Sequence, residues 1–195
     1  MKGTIICITG CMFCGKGGCA REVIQFYRKV KKCGGATNFK SSIDSRGGED
    51  IIIRNYGLIR AKVIDHKHPE QILHLAESEI ILIDDAHFFT EGIVETVVEL
   101  RRRDKIVIIN GLDTDFRGLP FHPMPEIMEV SNCCVFPREA TCALCGEVAC
   151  RTQKLTTNGA PALADSPLFD SGGEKCGDKY EPRCLKHHQP PNIEK

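Results

Sequence analysis

A chain of 195 residues with 26 basic and 26 acidic side chains has room for one α/β domain and a small appendage, and no net charge to draw it to nucleic acid or an anionic membrane. No apolar run approaches the ~20 residues of a membrane-spanning helix, and a strand candidate begins within a few residues of the N-terminus with no signal peptide before it, so the expected location is the cytoplasm. Twelve cysteines are many for such a chain, but a disulfide framework needs an oxidising compartment that nothing else in the sequence supports.

In chain order, Gly3-Thr4-Ile5-Ile6-Cys7-Ile8-Thr9 reads as a buried strand and leads into Gly10-Cys11-Met12-Phe13-Cys14-Gly15-Lys16. That run has the form G-x-x-x-x-G-K of a phosphate-binding loop. Glycines let backbone N–H groups converge on phosphate oxygens, the following helix presents its positive end, and Lys16 adds a mobile charge. The competing reading, a coincidental glycine turn, is weakened by the strand before it and the helix after. The Ser or Thr that usually follows the lysine and binds Mg²⁺ is Gly17 here. Gly17 and Gly18 also weaken the first helical turn, by roughly 1 kcal/mol each relative to alanine.

A helix is expected from Gly17 to Lys32, with Cys19, Val23, Phe26, Tyr27 and Val30 as its apolar stripe and Cys33-Gly34-Gly35 as its end. A short strand follows near Ala36–Lys40, then a polar loop from Ser41 to Asp50 and a strand at Ile51-Ile52-Ile53. Pro69 to Glu77 reads as a helix opened by proline. Glu79–Ile83 is a buried strand ending in Asp84-Asp85, Gly92–Arg102 an amphipathic helix, and Lys105–Ile109 another buried strand. Alternating strands and helices with near-continuous apolar strand sequences predict a parallel sheet flanked by helices. Ligands of such sheets bind at the carboxyl ends of the strands, where the phosphate loop and the paired aspartates both fall. Arg101-Arg102-Arg103 reads as a solvated helix end, favourable at the negative helix pole, rather than a nucleic-acid patch. After Gly111 the composition changes, and a boundary near residue 137 divides the chain into an α/β domain over 1–136 and a small second domain over 137–195.

Asp84 closes an apolar strand downstream of the phosphate loop, the usual position of a carboxylate that holds Mg²⁺; a strand-end turn residue is the plainer alternative. On an extended chain Asp85 points the other way, which would let one carboxylate face the metal and the other an acceptor hydroxyl as its base. Asp84-Asp85-Ala86-His87 resembles a helicase box, but the chain has no room for a second motor domain. Phe88, Phe89, Phe116 and Phe121 are either ordinary core or rings that sandwich a base. Near the C-terminus Cys142-x-x-Cys145 and Cys184-x-x-His187 form two ligand pairs for a closed, structural zinc site in a segment too poor in apolar residues to build its own core. His188 is a possible substitute that the spacing disfavours, and Cys150 and Cys176 are spare thiols. Cys7, Cys11, Cys14, Cys19 and Cys33 read as small buried side chains or free thiols.

Taken together these segments resemble the type II thymidine kinases, the class that includes the cytosolic vertebrate and many bacterial enzymes. The matching segments are Gly10–Lys16, Ile43-Asp44-Ser45-Arg46, Ile83–Phe89, Gly111-Leu112-Asp113-Thr114-Asp115-Phe116-Arg117-Gly118 with Pro120-Phe121, then Cys142-x-x-Cys145 with Arg151-Thr152-Gln153-Lys154-Leu155, and Tyr180-Glu181-Pro182-Arg183-Cys184. The resemblance implies a P-loop NTPase-like α/β fold with a C-terminal zinc-ribbon and lasso domain. It implies transfer of the γ-phosphoryl group of ATP to the 5′-hydroxyl of deoxythymidine, with Mg²⁺ and a structural Zn²⁺, in a cytoplasmic homotetramer. Residues Gly10, Cys11, Met12, Phe13, Cys14, Gly15, Lys16 and Gly17 would surround the phosphates, with Asp84 serving the metal, Asp85 as base and Arg46 beside the transferring group. Met12, Phe88, Leu112, Phe116, Phe121 and Thr152 would line the thymine pocket, and a lasso over about 155–180, with Tyr180 packed at its end, would close it. The departures are Gly17, Asp85 for the usual Glu (roughly 1.5 Å shorter), His87 for Gln, Cys11 and Cys14 for Pro and Ser or Ala, and an acid in Leu168-Phe169-Asp170. They leave, as the alternative, a nucleotide-binding relative with weak or no kinase activity.

Overall fold

The structure, a computed structural model, describes residues 2–168 and 179–191. Phe169, Asp170 and Cys176 fall outside the described residues. Strands β1 (Thr4–Thr9), β2 (Ala36–Ser41), β5 (Lys62–Ile64), β6 (Ile80–Asp84), β7 (Ile106–Gly111) and β8 (Cys133–Val135) form one six-stranded sheet in the order β5-β2-β6-β7-β1-β8. Every neighbouring pair in it is parallel. Alternation along the strands sorts the side chains into two cores. Ile5, Cys7, Ile81, Ile83, Val107 and Ile109 face helices α3 (Gly92–Arg102) and α4 (Met124–Val130). Ile6, Ile8, Ile80, Leu82, Ile106 and Ile108 face α1 (Lys16–Lys31) and the hairpin β3 (Asp50–Ile53)–β4 (Gly57–Arg60). Coverage on both faces explains why these strands read as unbroken apolar runs. Ile51 and Ile53 of the hairpin are buried in the second core while Ile52 is exposed, as period-two alternation requires.

Several elements differ from expectation. The helix expected over Pro69–Glu77 is a 3-10 turn at Pro69–Gln71 followed by a single turn, α2 (Ile72–Leu75). β4, β5, β8 and α4 were not legible, and β1, β6 and β7 each deviate by a residue or two at their ends. Phe89 belongs to the first core and is not a site residue. Arg101 donates to the Val130 carbonyl, and Arg103 to Glu99 and the Leu73 carbonyl, so the basic triplet ties elements together as well as ending α3. The cysteines among the described residues are free, with Cys7, Cys11 and Cys14 buried.

The C-terminal part adds an antiparallel pair, β9 (Arg151–Leu155) and β10 (Lys179–Arg183). It touches the phosphate-loop side of the large sheet: Met12 N donates to Thr152 Oγ1 at 3.0 Å and Glu139 N to the Cys14 carbonyl at 3.3 Å. Among the described residues no helix is long and apolar enough to cross a membrane.

Candidate active site

Because β1, β7 and β6 lie side by side and parallel, the loop after β1 and the aspartates at the end of β6 emerge at the same edge of the sheet. The loop has the backbone its glycines allow. Gly10 and Gly15 sit at φ 141° and 93°, and a Cβ on Gly15 would come within 2.3 Å of the Glu139 carboxyl carbon. Lys16 Nζ donates to the carbonyls of Gly10 and Cys11, at 3.1 and 2.9 Å. The hairpin packs closely here: a Cβ on Gly17 would lie 3.3 Å from Ile53 Cγ2, and one on Gly18 would lie 3.0 Å from the Tyr56 ring. The β3–β4 hairpin therefore rests on the two glycines that open α1. Arg54, in its turn, stacks over Phe13 at the loop tip, 5.5 Å from the ring centroid.

The expectation that Asp84 and Asp85 diverge is corrected. The strand ends at Asp84, and Asp85 adopts a left-handed conformation at φ 47°, ψ 54°. This turn keeps its carboxylate on the same side, so that Asp44, Asp84 and Asp85 each offer an oxygen within 4.8 Å of the others. Arg46 joins them, with Nε 2.6 Å from Asp44 Oδ1 and Nη2 2.6 Å from Asp85 Oδ2. Buried Lys40 holds the loop that carries Arg46 through the carbonyls of Arg46 and Asp50 and through Asp44 Oδ2 at 3.2 Å. Asn110, at the end of β7, donates to Asp84 Oδ1 at 2.7 Å and accepts from Asp85 N at 3.0 Å. Neither Lys40 nor Asn110 was anticipated as part of the site. Their one sequence signal is polarity at the end of a strand otherwise buried.

Electrostatics divides the two carboxylates. Burial, then the Asp85 charge, pushes Asp84 up to about 7. Burial works the same way on Asp85, but positive charge from His87, Arg46 and Lys16 leaves it below the usual carboxylate range. His87 is itself pulled down to about 4 by burial, so near neutral pH Arg46 and Lys16 carry that effect. Burial of its inner part works against the Arg46 charge, but the carboxylates of Asp85 and Asp44 outweigh it and hold the partly exposed guanidinium firmly in its charged form.

The residues expected to line the base pocket fall into two groups. His87 accepts from Leu112 N through Nδ1 at 3.2 Å, and its ring packs on Phe88 and Phe121, with centroids 4.3 and 4.8 Å away. Phe116 and Tyr180 flank Lys154, whose buried Nζ is 5.7 Å from each ring and donates to the Pro167 carbonyl at 2.9 Å. Thr152, through Met12, ties this second group to the phosphate loop.

Cys142, Cys145, Cys184 and His187 bring their ligand atoms within 4.8 Å of one another. Separations of 3.7 Å (Cys142 Sγ to His187 Nδ1), 3.8 Å (Cys145 to Cys184) and 3.3 Å (Cys184 Sγ to His187 Nδ1) match the edges of a zinc tetrahedron, about 3.8 Å between sulfurs bound at ~2.3 Å. Burial disfavours the Cys142 thiolate, but amides of Cys184, Leu144 and Cys145 bring its pKa down to about 6. His188 is not part of the quartet. Its Nε2 donates to the Phe116 carbonyl at 2.9 Å.

A glycine loop of the form G-x-x-x-x-G-K, an acidic cluster with an arginine at the same sheet edge, and a Cys₃His knuckle beside an aromatic group thus occur in one chain. The span that carries all of them, residues 3–188, matches the family model for thymidine kinase, and the chain belongs to the thymidine kinase family.

Proposed function

We propose that this kinase transfers the γ-phosphoryl group of ATP to the 5′-hydroxyl of deoxythymidine, on the residues that the sequence singled out. The observation that carries the reading is the Arg46–Asp85 pair at 2.6 Å beside Asp84, on the edge where the phosphate loop also emerges. Phosphoryl transfer asks little covalent chemistry of a protein; it needs alignment and neutralisation of charge. The amides of the loop from Gly10 to Gly17 and Lys16 would hold the phosphates. Arg46, whose side chain is 54% exposed, would meet the transferring group. Asp85, kept ionised, would accept the proton of the attacking hydroxyl. Met12, Phe88, Leu112, Phe116, Phe121, Thr152 and Tyr180 would line the thymine site, the rings stacking on the base.

The three clustered carboxylates suit Mg²⁺; Asp84 with Asp44 would hold the ion. Bound there, it would supply charge neutralisation for the phosphates. The Cys₃His quartet suits a structural Zn²⁺, because four protein ligands leave no open position. A division into 1–136 and 137–195, a homotetramer and a cytoplasmic location complete the proposal. No observation in the site favours the alternative of a nucleotide-binding relative without turnover.

The test is transfer of labelled phosphate from ATP to thymidine, with and without Mg²⁺, in wild type and Lys16→Ala. Mg²⁺-dependent labelling of thymidine that disappears in the variant is expected. Hydrolysis of ATP indifferent to thymidine, or full activity in Lys16→Ala, rejects the reading.

A further inference from the structure

We propose that Cys11 and Cys14 form a dithiol–disulfide pair through which low-molecular-weight disulfides reversibly switch off the phosphate loop. This rests, for its effect on activity, on the loop binding nucleotide as proposed above. The two thiols occur as Cys11-Met12-Phe13-Cys14, a C-x-x-C spacing set between a parallel strand and a helix of 16 residues. Their side chains pack in one small buried cluster with Ala140 and Ala149, and Cys11 Sγ donates weakly to the Ala149 carbonyl. Lys16 Nζ is 3.9 Å from Cys14 Sγ.

The surroundings give the two sulfurs different tasks. The neighbouring Cys11 thiol and the charge of Lys16, 3.9 Å away, outweigh burial and bring the Cys14 thiol down to about 7. The neighbouring Cys14 and burial push Cys11 far up. Cys14 is thus the nucleophile and Cys11 the resolving thiol. In the first step the Cys14 thiolate attacks one sulfur of a disulfide RSSR. A Cys14–S–S–R bond forms, the R–S–S–R bond breaks, and RS⁻ leaves to take up a proton. In the second step Cys11, losing its proton, attacks Cys14 Sγ and expels the second RS⁻. The protein loses two electrons and two protons, and RSSR becomes two RSH.

Oxidation has a direct route to function. Cys14 Sγ lies 3.0 Å from where a Cβ of Gly10 would be, and Lys16 hangs on the Gly10 and Cys11 carbonyls. A bond between the sulfurs therefore displaces the backbone that must converge on phosphate. Cys11 and Cys14 are 2% and 1% exposed, so attack needs the loop to open. The tip offers a way: Phe13 is 43% exposed and sits at φ 66°. A bound triphosphate holds the loop closed, and so protects the pair.

The experiment uses full-length, zinc-loaded, reduced protein incubated with oxidised glutathione, with and without saturating ATP. Peptide mass mapping, binding of a fluorescent ATP analogue and kinase activity are followed, each variant being referred to its own reduced state. Expected are a Cys11–Cys14 linked peptide and a loss of analogue affinity of tenfold or more that dithiothreitol reverses. ATP should slow the oxidation by at least tenfold. Cys11→Ser should stop at a glutathione adduct on Cys14, and Cys14→Ser should not respond. A linkage mapped elsewhere, an equal loss in the double variant, or a linkage that leaves analogue binding intact overturns the switch without touching the kinase reading. Linkage with ATP protection in a protein that never labels thymidine upholds the switch and removes the kinase reading instead.

Discussion

Asp85 sits at an unusual backbone angle for a residue with a side chain, and this brings its carboxylate beside those of Asp84 and Asp44. Without that left-handed turn its carboxylate would follow strand alternation away from Asp84. Arg46 and Lys16 keep it ionised, which a base near neutral pH requires. Asp85→Asn retains size and an acceptor oxygen but cannot take a proton. We expect kcat to fall about 10²- to 10⁴-fold with the KM for ATP little changed; a loss under tenfold in steady-state assays removes Asp85 from the base role. The neighbouring His87 makes a second residue-scale prediction. Its folded pKa of about 4 lies below the unfolded value of 6.5, so the unfolded chain binds the proton first as pH drops. The contribution is complete above pH 6.5 and is lost as pH falls toward 4, by up to about 3 kcal/mol. Asp85, Lys16 and Arg46 face the same ring, and Asp44 is close. His87→Gln keeps an acceptor for Leu112 N. Urea denaturation at pH 7 and pH 4.5 should show a smaller loss of stability in the variant; an identical loss assigns the acid sensitivity to other groups.

At the scale of elements, long periodic or fully apolar segments were legible. α3 runs from Gly92 to Arg102 as the 3.6-residue pattern predicts, and β6 and β7 as their isoleucines predict. The missed strands lack such a signal: β4 is largely exposed and β8 is a three-residue edge. α4 begins at Met124-Pro125, inside a segment whose Gly and Pro content reads as loop. In the site, residues inside motifs were readable because local chemistry fixes their role. Asn110 was not, because its partners Asp84 and Asp85 are set only when β6 lies against β7; nor was Lys40, whose partners appear only once the irregular 44–50 loop folds back over the end of β2. The same holds for Gly17, whose missing hydroxyl stands out in the sequence while its close neighbour, Ile53 of the hairpin, does not. A two-stranded hairpin can yield the few tenths of an ångström that a Cβ at 3.3 Å demands. Gly17→Ser should therefore fold. It should also lower the Mg²⁺ concentration for half-maximal activity, if the hydroxyl is what the cleft lacks. An unchanged Mg²⁺ titration would show that the three aspartates already suffice.

For the whole molecule, the distance from the Cys₃His knuckle to the chemistry is short in contacts. The knuckle fixes the strand pair: Ala143 N donates to the Pro182 carbonyl and Cys150 N to that of Arg183. From β9, Thr152 reaches Met12 in the phosphate loop, while His188, next to the ligand His187, reaches the Phe116 carbonyl. Cys11 Sγ adds a weak donation to the Ala149 carbonyl at 3.7 Å. Chelation of zinc would leave thiols and an imidazole crowded within 4.8 Å and nothing to hold them together, in a segment with little core of its own. The parallel sheet, with two apolar cores, should survive. We expect one zinc per chain by elemental analysis and a fall in the first thermal transition on chelation. The KM for thymidine should rise more than that for ATP because, of the residues proposed for the thymine site, Thr152 and Tyr180 belong to the strand pair and Phe116 is held by His188. Cys145→Ser should reproduce the effect, and added Zn²⁺ should rescue the chelated wild type but not the variant. Chelated protein with the same transition temperature and the same KM for thymidine would mean that the strand pair is held by its packing on the large sheet, and that the metal has no part in shaping the nucleoside site.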